Sequence, residues 1–371
     1  MNFQTLPNTI HRAAVDLVCR KLNLGGAPDA AFSSKNAGLL PEKPSMRDIA
    51  RLCAENATPD ERSRFNPGMV DFCARAMTTS DFASILTDVS NKQLQAAYAS
   101  RPASFTLWAS AGTLPNFKTA SICRVSAPGV LPELREDDEY KALVLEDGAE
   151  NVRLKTFGGL LAITRQSVVN DDLDALTDKS RLLSQSAALT QSTLAVAALT
   201  GNNVLSDGTA VFHADRNNLL TGTTSALSID SLAAGVAVMR RFKDVNGQPL
   251  AIEPKFLVVG PGNERLAYQL AYSDADPGTS NSGTVNFIKK SVGLEVIVEP
   301  LLENSSLTAW YLLPDPAAVP VIRYFILDGS DGLAPYIESR NGFNNDNLEL
   351  KTRIDFAAAP IGYFAVKSAG V

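Results

Sequence analysis

The residues of this sequence best suited to chemistry lie in one polar segment, residues 207–215 (DGTAVFHAD). Asp207, His213 and Asp215 could form an acid–base cluster or supply ligands to a metal ion. A zinc site normally needs three protein ligands of fixed geometry, and the only other histidine of the chain is His11. We therefore interpret the segment as a surface loop whose polar groups satisfy one another.

A second motif with possible chemistry is the pair Gly260 and Gly262, which follows a predicted buried strand and precedes a predicted helix. A dinucleotide-binding loop requires a third glycine and an acidic partner for the ribose. Here Pro261 occupies the turn and Glu264 lies near the place of the third glycine. The pattern does not predict a cofactor site.

The remaining reactive side chains show no catalytic or metal-binding pattern. The four cysteines are scattered without a Cys-x-x-Cys pair, which predicts reduced thiols rather than a zinc site or a disulfide framework. No serine lies in a Gly-x-Ser-x-Gly elbow. We expect no enzyme activity, no cofactor and no metal.

The composition is that of a globular protein, with 45% apolar and 20% charged residues in 371. At about 150 residues per domain, this length allows two or three packed units. No apolar run reaches the roughly 18 residues of a membrane span, and the N-terminus lacks the features of a signal peptide. The net charge is −6, and the absence of a lysine and arginine cluster argues against duplex DNA recognition. We expect a protein of the cytoplasm of the cell that makes it.

The longest helical periodicity covers residues 171–200. Asn170 supplies an N-cap and the aspartates after it suit the helix N-terminus. Gly201 and Asn202 form a stop signal. A helix of this length predicts a spine on which other elements pack.

Residues 117–157 predict a long projecting arm. Strands are expected at 117–125 and at 152–157, where apolar and polar residues alternate strictly. The residues between them, which include the acidic run 136–139, are far too many for a tight hairpin turn. Loops of such length inside a compact unit usually have a function.

Helix and strand signals alternate from 228 to 312 and predict an inserted α/β subdomain. Its expected elements are helices at 228–243 and 262–272 and strands at 256–259, 294–298 and 310–313. The C-terminal stretch is predicted to be β, with strands at 321–327, 348–356 and 361–366.

Several short motifs resemble, in the same order, those of the major capsid proteins of Mu-like tailed phages and prophages. The resemblance is closest to the group related to fusions of prohead protease and capsid protein. In chain order the motifs are 77–82 (MTTSDF), Asn91-Lys92, Tyr98, Phe117-Lys118, Asp138-Glu139-Tyr140, 156–159 (TFGG), 163–166 (ITRQ), 170–173 (NDDL), Asp207-Gly208, Phe212-His213, Asn217-Asn218-Leu219, Glu299-Pro300, 310–312 (WYL), Asp315-Pro316 and 353–356 (RIDF).

The resemblance implies an α+β chain with the tailed-bacteriophage major capsid protein fold. Its parts would be an N-terminal arm with helices (1–116) and an extended loop shaped as a β-hairpin arm (117–159). A peripheral domain (160–227 and 319–371) would hold the spine helix 171–200, and an axial α/β domain would cover 228–318. Residues 1–45 match no part of the family's pattern. They are an N-arm, a scaffold-like segment or a remnant of processing.

The function implied is that of a major capsid protein, whose hexamers and pentamers build an icosahedral head around double-stranded phage DNA. The extended loop would lie over a neighbouring subunit, so charged and aromatic residues along it are candidate intersubunit contacts. These are Arg135, Glu136, Asp137, Asp138, Glu139, Tyr140, Arg153 and Lys155.

The expected partners are other copies of the chain, a portal, and a prohead protease or scaffold, with a decoration protein as a further candidate. Packaged DNA would be contacted non-specifically, and no membrane is involved. The protein would be assembled in the bacterial cytoplasm and located in the virion.

Two other functions stay open. An encapsulin-like compartment would use the same fold to enclose cargo enzymes. A soluble hydrolase would use His213 and Asp215, and would lose its activity on His213→Ala without any effect on assembly.

Overall fold

The computed structural model describes residues 103–124, 148–163, 173–243, 249–277, 284–330, 332–341 and 348–370. Several predictions lie outside these residues: the helices within 1–102, the acidic run 136–139 and the helix cap at 170–172.

The described elements form a mixed α and β chain. The helices are α1 (Phe105–Trp108), α2 (Leu173–Thr200), α3 (Ile229–Arg240) and α4 (Glu264–Tyr272). The strands are β1 (Ser110–Leu114), β2 (Ala120–Arg124), β3 (Gly148–Val152), β4 (Lys155–Ile163), β5 (Leu219–Leu220), β6 (Pro254–Val259), β7 (Glu295–Val298), β8 (Trp310–Pro314), β9 (Ile322–Leu327), β10 (Tyr336–Asn341), β11 (Leu348–Pro360) and β12 (Val366–Ser368). The helix predicted over residues 171–200 is α2, with 28 residues and a length of about 42 Å.

The chain divides into two compact units, and the described part of the first comes from Thr156–Leu189 and Ser330–Ile354. In this unit β10 pairs antiparallel with β11, from Tyr336 opposite Arg353 to Asn341 opposite Leu348, and β4 also pairs with β11. A Cβ atom at Gly158 would lie 2.7 Å from the carbonyl oxygen of Thr352. Glycine is therefore required where β4 approaches the β11 backbone.

The second unit comprises Ala103–Lys155, Thr190–Gly329 and Asp355–Val371. Its main sheet has the strand order β5-β12-β8-β6-β7. Within it, β6 pairs parallel with β7 and antiparallel with the central strand β8, and β12 pairs antiparallel with β8 and parallel with β5. Elsewhere in this unit β9 pairs parallel with β1 and antiparallel with the second half of β11.

Both faces of β8 are covered, which explains why all five of its residues are buried. Successive strand residues point to opposite faces. Trp310 and Leu312 belong to a core built with α3 and α4, whereas the ring of Tyr311 lies 5.7 Å from that of Phe212 on the other face. A strand buried on both faces reads as a continuous apolar run rather than an alternating one.

Helix α3 begins where its sequence predicts and packs closely on β8. The Ser228 side chain accepts the Ser231 N–H, and the Ser231 hydroxyl in turn accepts the Ser228 N–H, so the two form a capping box. A Cβ atom at Gly235 would lie 2.7 Å from Leu312 Cδ1. The glycine thus permits the close approach of helix and sheet.

Two strand predictions were wrong in their limits. The alternating stretch 152–157 is not one strand. Strand β3 ends at Val152, because this residue pairs with Ala120, the first residue of β2. The next strand, β4, starts at Lys155. The strand expected at 361–366 is instead β12, at Val366–Ser368. The rings of Tyr363 and Phe364 pack on that of Phe242, at centroid distances of 6.4 and 5.6 Å. Because these residues pack through their side chains, this stretch does not pair with a neighbouring strand.

The sheet also extends beyond the range 228–318 in which the sequence placed an axial domain. Strands β5 and β12 come from outside that range. Val366 of β12 is fully buried in the same core as Leu312. A strand from the C-terminal end of the chain therefore completes both the sheet and its core.

The buried phenol of Tyr311 makes the stability of this sheet depend on pH. Burial raises the pKa of Tyr311 to about 12, from about 10 in an unfolded chain. Because the neutral phenol is favoured in the folded state, this stabilisation is complete below pH 10 and is lost as the pH rises through 12. The loss amounts to roughly 2–3 kcal/mol.

We expect Tyr311→Phe to flatten the decline of the melting temperature between pH 10 and 12, measured through the fluorescence of the adjacent Trp310. The exposed Tyr268→Phe is the control and should leave the decline unchanged. Equal slopes for wild type and Tyr311→Phe would contradict the assignment.

Candidate functional site

The base of the predicted arm is the two-stranded hairpin of β2 and β3. Ala120 pairs with Val152 at one end and Arg124 with Gly148 at the other. Residues 125–147, between the two strands, lie outside the described part of the chain and carry six of the eight predicted contact residues. The structure therefore places only Arg153 and Lys155 of that set.

Arg153 and Lys155 lie on the exposed side of the chain as it leaves the hairpin. Both side chains are exposed, whereas Val152 and Leu154 retain only 4% and 2% of their accessible surface. Arg153 Nε donates to the carbonyl oxygen of Phe117 at 3.1 Å. This bond ties one cation to the start of the arm, and both cationic groups remain accessible to an external partner.

A buried carboxylate, which the sequence analysis did not single out, anchors the hairpin. Glu150 of β3 is 8% exposed. It accepts the Ser206 N–H at 3.0 and 3.1 Å and the Ser206 hydroxyl at 2.8 Å. A buried charge is tolerated when hydrogen bonds replace its hydration. No local pattern marks Glu150, because its partner lies in a distant loop.

The segment 207–215, which contains the candidate acid–base residues, belongs to the same loop as Ser206. His213 Nδ1 accepts the Asp215 N–H at 3.2 Å and caps a short helical turn. Asp207 faces a different partner, since both of its carboxylate oxygens lie 2.7 Å from Arg216 Nη2. The structure therefore brings His213 and Asp215 together but directs Asp207 elsewhere.

Arg216 and Asn218 organise this loop from within. Arg216 also donates to the carbonyl oxygen of Thr209 at 3.0 Å, and its guanidinium carbon lies 4.1 Å from the ring centroid of Tyr363. The fully buried Asn218 accepts the His213 N–H and donates to the carbonyl oxygens of Val211 and Tyr363. The hydrogen bonds of these two side chains hold the loop in its conformation. Within the described residues, no group of three or more histidine, cysteine or acidic side chains could hold a metal ion.

The turn at Gly260 and Gly262 is occupied by an acidic side chain. Glu303 Oε1 accepts the Gly262 N–H at 2.8 Å, and a Cβ atom at Gly260 would lie 3.0 Å from Glu303 Cγ. A carboxylate at this position repels phosphate, so the turn does not have the character of a dinucleotide-binding loop.

Exposed ion pairs on the second unit include two formed by lysines with aspartates. Lys255 Nζ contacts Asp315 Oδ2 at 2.7 Å, and Lys289 Nζ contacts Asp274 Oδ1 at 2.6 Å. In each case the hydrogen bond from the lysine lowers the pKa of the aspartate. Surface pairs of this kind contribute little to stability, so they orient surface side chains rather than hold the fold.

Solved structures with similar chain traces include phage heads and an encapsulin complex. The head of Helicobacter pylori bacteriophage KHP40 has 9% identity and a TM-score of 0.46, over 70% of this chain and 88% of that one. The procapsid of bacteriophage JBD30 has 14% identity and a TM-score of 0.44, over 78% and 76%. The holo-SrpI encapsulin complex of Synechococcus elongatus PCC 7942 has 12% identity and a TM-score of 0.46, over 71% and 85%.

The comparison with curated proteins finds no significant match. Among the described residues, no helix is long and apolar enough to span a membrane.

The sequence itself matches a family model. The model for phage capsid proteins covers residues 148–367, more than half of the chain. The matched range begins at the first residue of β3 and ends within β12, so it includes the anchored side of the hairpin, α2 and all of the main sheet except Ser368. The fold class expected from the motifs is thereby confirmed, and the chain belongs to the phage capsid protein family.

Proposed function

We propose that this chain is the major capsid protein of a tailed phage, whose copies form the hexamers and pentamers of an icosahedral head around double-stranded DNA. The observation that carries the proposal is the family match over residues 148–367. A capsid is a shell of repeated subunits, so self-association is part of this function. The net charge of −6 suits a wall that encloses DNA without binding it tightly.

The finer assignments from the motifs are part of the same proposal. The chain would belong to the Mu-like group related to protease–capsid fusions. Residues 1–116 would form the N-terminal arm and helices, 117–159 the extended loop, 160–227 with 319–371 the peripheral domain, and 228–318 the axial domain. A portal, a prohead protease or scaffold, and a decoration protein would be its partners, with assembly in the host cytoplasm.

The geometry of the candidate acid–base pair argues against the hydrolase alternative. His213 uses Nδ1 to accept a backbone N–H, and Asp207 is held by Arg216. A neutral imidazole whose Nδ1 accepts a hydrogen bond carries its proton on Nε2, so the nitrogen left for a substrate cannot act as a base. Asp215 Oδ2 lies 3.3 Å from the same Nδ1 and its side chain is 84% exposed. Because a nitrogen that accepts a hydrogen bond has no proton to donate to this carboxylate, Asp215 does not orient the ring as a general base.

The direct test is to express the full chain, alone and with a scaffold and protease, and examine it by negative-stain microscopy and size-exclusion chromatography. We expect capsomer rings or closed shells. A monomer under every condition of salt, concentration and co-expression would contradict the capsid function. Closed shells that retain host enzymes and exclude phage DNA would indicate an encapsulin-like compartment.

The charges of Arg153 and Lys155 should matter for assembly if the arm lies on a neighbour. We expect Arg153→Glu with Lys155→Glu to reduce shell yield, because like charges in a contact destabilise it. The matched control is Arg153→Lys with Lys155→Arg, which keeps both charges. Melting temperatures should fall only slightly in the variants, since both side chains are exposed and the one bond lost is the exposed contact from Arg153 to the Phe117 carbonyl oxygen. Unchanged shell yield in the charge-reversed protein would remove these residues from the interface.

The Glu150–Ser206 contact should hold the base of the arm in place. We expect Glu150→Ala to lower the free energy of unfolding by about 1–3 kcal/mol, because Ser206 loses its acceptor. Hydrogen exchange at 148–152 should accelerate. Glu150→Gln keeps one acceptor oxygen and should show a smaller effect on both measurements. If exchange at 148–152 is the same in Glu150→Ala as in wild type, the contact does not anchor the arm.

A further inference from the structure

Exposed apolar side chains are concentrated around helix α4. Among the described residues, thirteen large apolar side chains are exposed, and five of them lie between residues 264 and 287. Leu266 lies about 200° around the helix from Tyr268, on the opposite flank. We call the other four the α4 patch: Tyr268, Tyr272, Val285 and Phe287, with exposures of 45%, 46%, 58% and 42%. Concentrated exposed apolar surface usually marks an interaction site.

The buried side of α4 is formed by residues other than Tyr268 and Tyr272. Ala267, Leu270 and Ala271 face the core of the main sheet. Tyr268 and Tyr272, one helical turn apart, stack on each other outside that core, with ring centroids 5.5 Å apart and planes at 27°. The stacked pair is a rigid aromatic surface, which loses little conformational entropy on binding.

The other half of the patch is held beside the end of the helix. Asn286, fully buried, donates through Nδ2 to the carbonyl oxygens of Leu270 at 2.8 Å and Ser273 at 3.0 Å. Its neighbours Val285 and Phe287 are thereby positioned next to the C-terminal turn of α4. The ion pair between Lys289 and Asp274 adds a second link between the same two segments.

The charges around the patch favour a partner of mixed charge. The exposed or half-buried charged residues of the same segments are balanced: Glu264, Asp274 and Asp276 against Arg265, Lys289 and Lys290. A polyanion such as DNA requires an excess of cations. In a contact between copies of one chain, acids and bases of such a rim can meet their opposites.

The size of the patch indicates what kind of contact it makes. Scaled from the 150–250 Å² of a whole aromatic side chain, its exposed surface is roughly 400 Å². A stable two-body interface needs about 800 Å² from each partner. The patch is therefore too small to hold an isolated dimer. It suits a contact repeated at each junction of a ring, where the patch of one copy meets a different surface of the next.

We propose that the α4 patch is a contact surface for a neighbouring copy of this chain within a capsomer. This inference rests on the proposed capsid function and names one surface by which the copies associate.

The test compares the full-length wild type with Tyr268→Ser/Tyr272→Ser by sedimentation velocity over a range of concentrations, with co-expressed scaffold if the wild type requires it. We expect the concentration for half-assembly to rise roughly tenfold or more, as for the loss of buried aromatic anchors. Val204→Ser, at an exposed apolar residue of the same unit outside the patch, is the matched control and should assemble like wild type. Equal melting temperatures would show that the variants fold.

Hydroxyl-radical footprinting of the wild type provides a second measurement that involves no mutation. Tyr268 and Tyr272 should be protected in assembled particles and reactive in dissociated protein. If wild type and double variant assemble equally and the tyrosines stay reactive, the patch is not an interface, while the capsid function stands. A wild type that never assembles overturns both. Loss of duplex DNA binding in the double variant, with normal assembly, would identify a polyanion as the partner instead.

Discussion

The central strand β8 must be buried on both faces, and most of the second unit is arranged to meet that requirement. Its residues are apolar throughout, so exposing either face to water would cost a large amount of free energy. One face is covered by α3 and α4, with Gly235 allowing α3 to approach Leu312 closely. The other is covered by the loop that carries Phe212. The two edges of β8 are covered as well, by β6 and by β12 from much later in the chain.

The polar residues that first suggest chemistry are used to shape the loop on the second face. Arg216 joins Asp207, Thr209 and the ring of Tyr363, and Asn218 closes the loop with three hydrogen bonds. Buried polar groups are costly unless hydrogen-bonded, and the bonds of Arg216 Nη2 and of the Asn218 amide restrict the loop to this conformation. Glu150 extends the same principle to the arm, which it fastens to Ser206 of this loop. The base of the arm and the main sheet are thus connected through hydrogen-bonded side chains.

This arrangement suits a subunit of a large assembly. A rigid sheet and a firmly anchored arm present surfaces whose relative positions within the second unit are set. Each surface can be small, because in a closed shell every copy repeats every contact and weak interactions add up. The α4 patch has the size expected of such a repeated contact. Exposed charges such as Arg153 and Lys155 would contribute to the choice of partner rather than to the strength of binding.

The sequence by itself determined the features that depend on neighbouring residues. The capping serine of α3, the long periodicity of α2 and the apolar runs of β6 and β8 all predicted elements close to those observed, because caps and periodicity are local signals. The ordered motifs predicted the family. Only the tertiary structure decided which strands pair. Strands β1 and β10 carry no strong alternation and were not predicted, and β5 and β12 join the main sheet from outside the predicted domain. The sequence also did not predict the partner of Glu150 or the grouping of the α4 patch. Each depends on residues brought together by folding, and no spacing along the chain records that proximity.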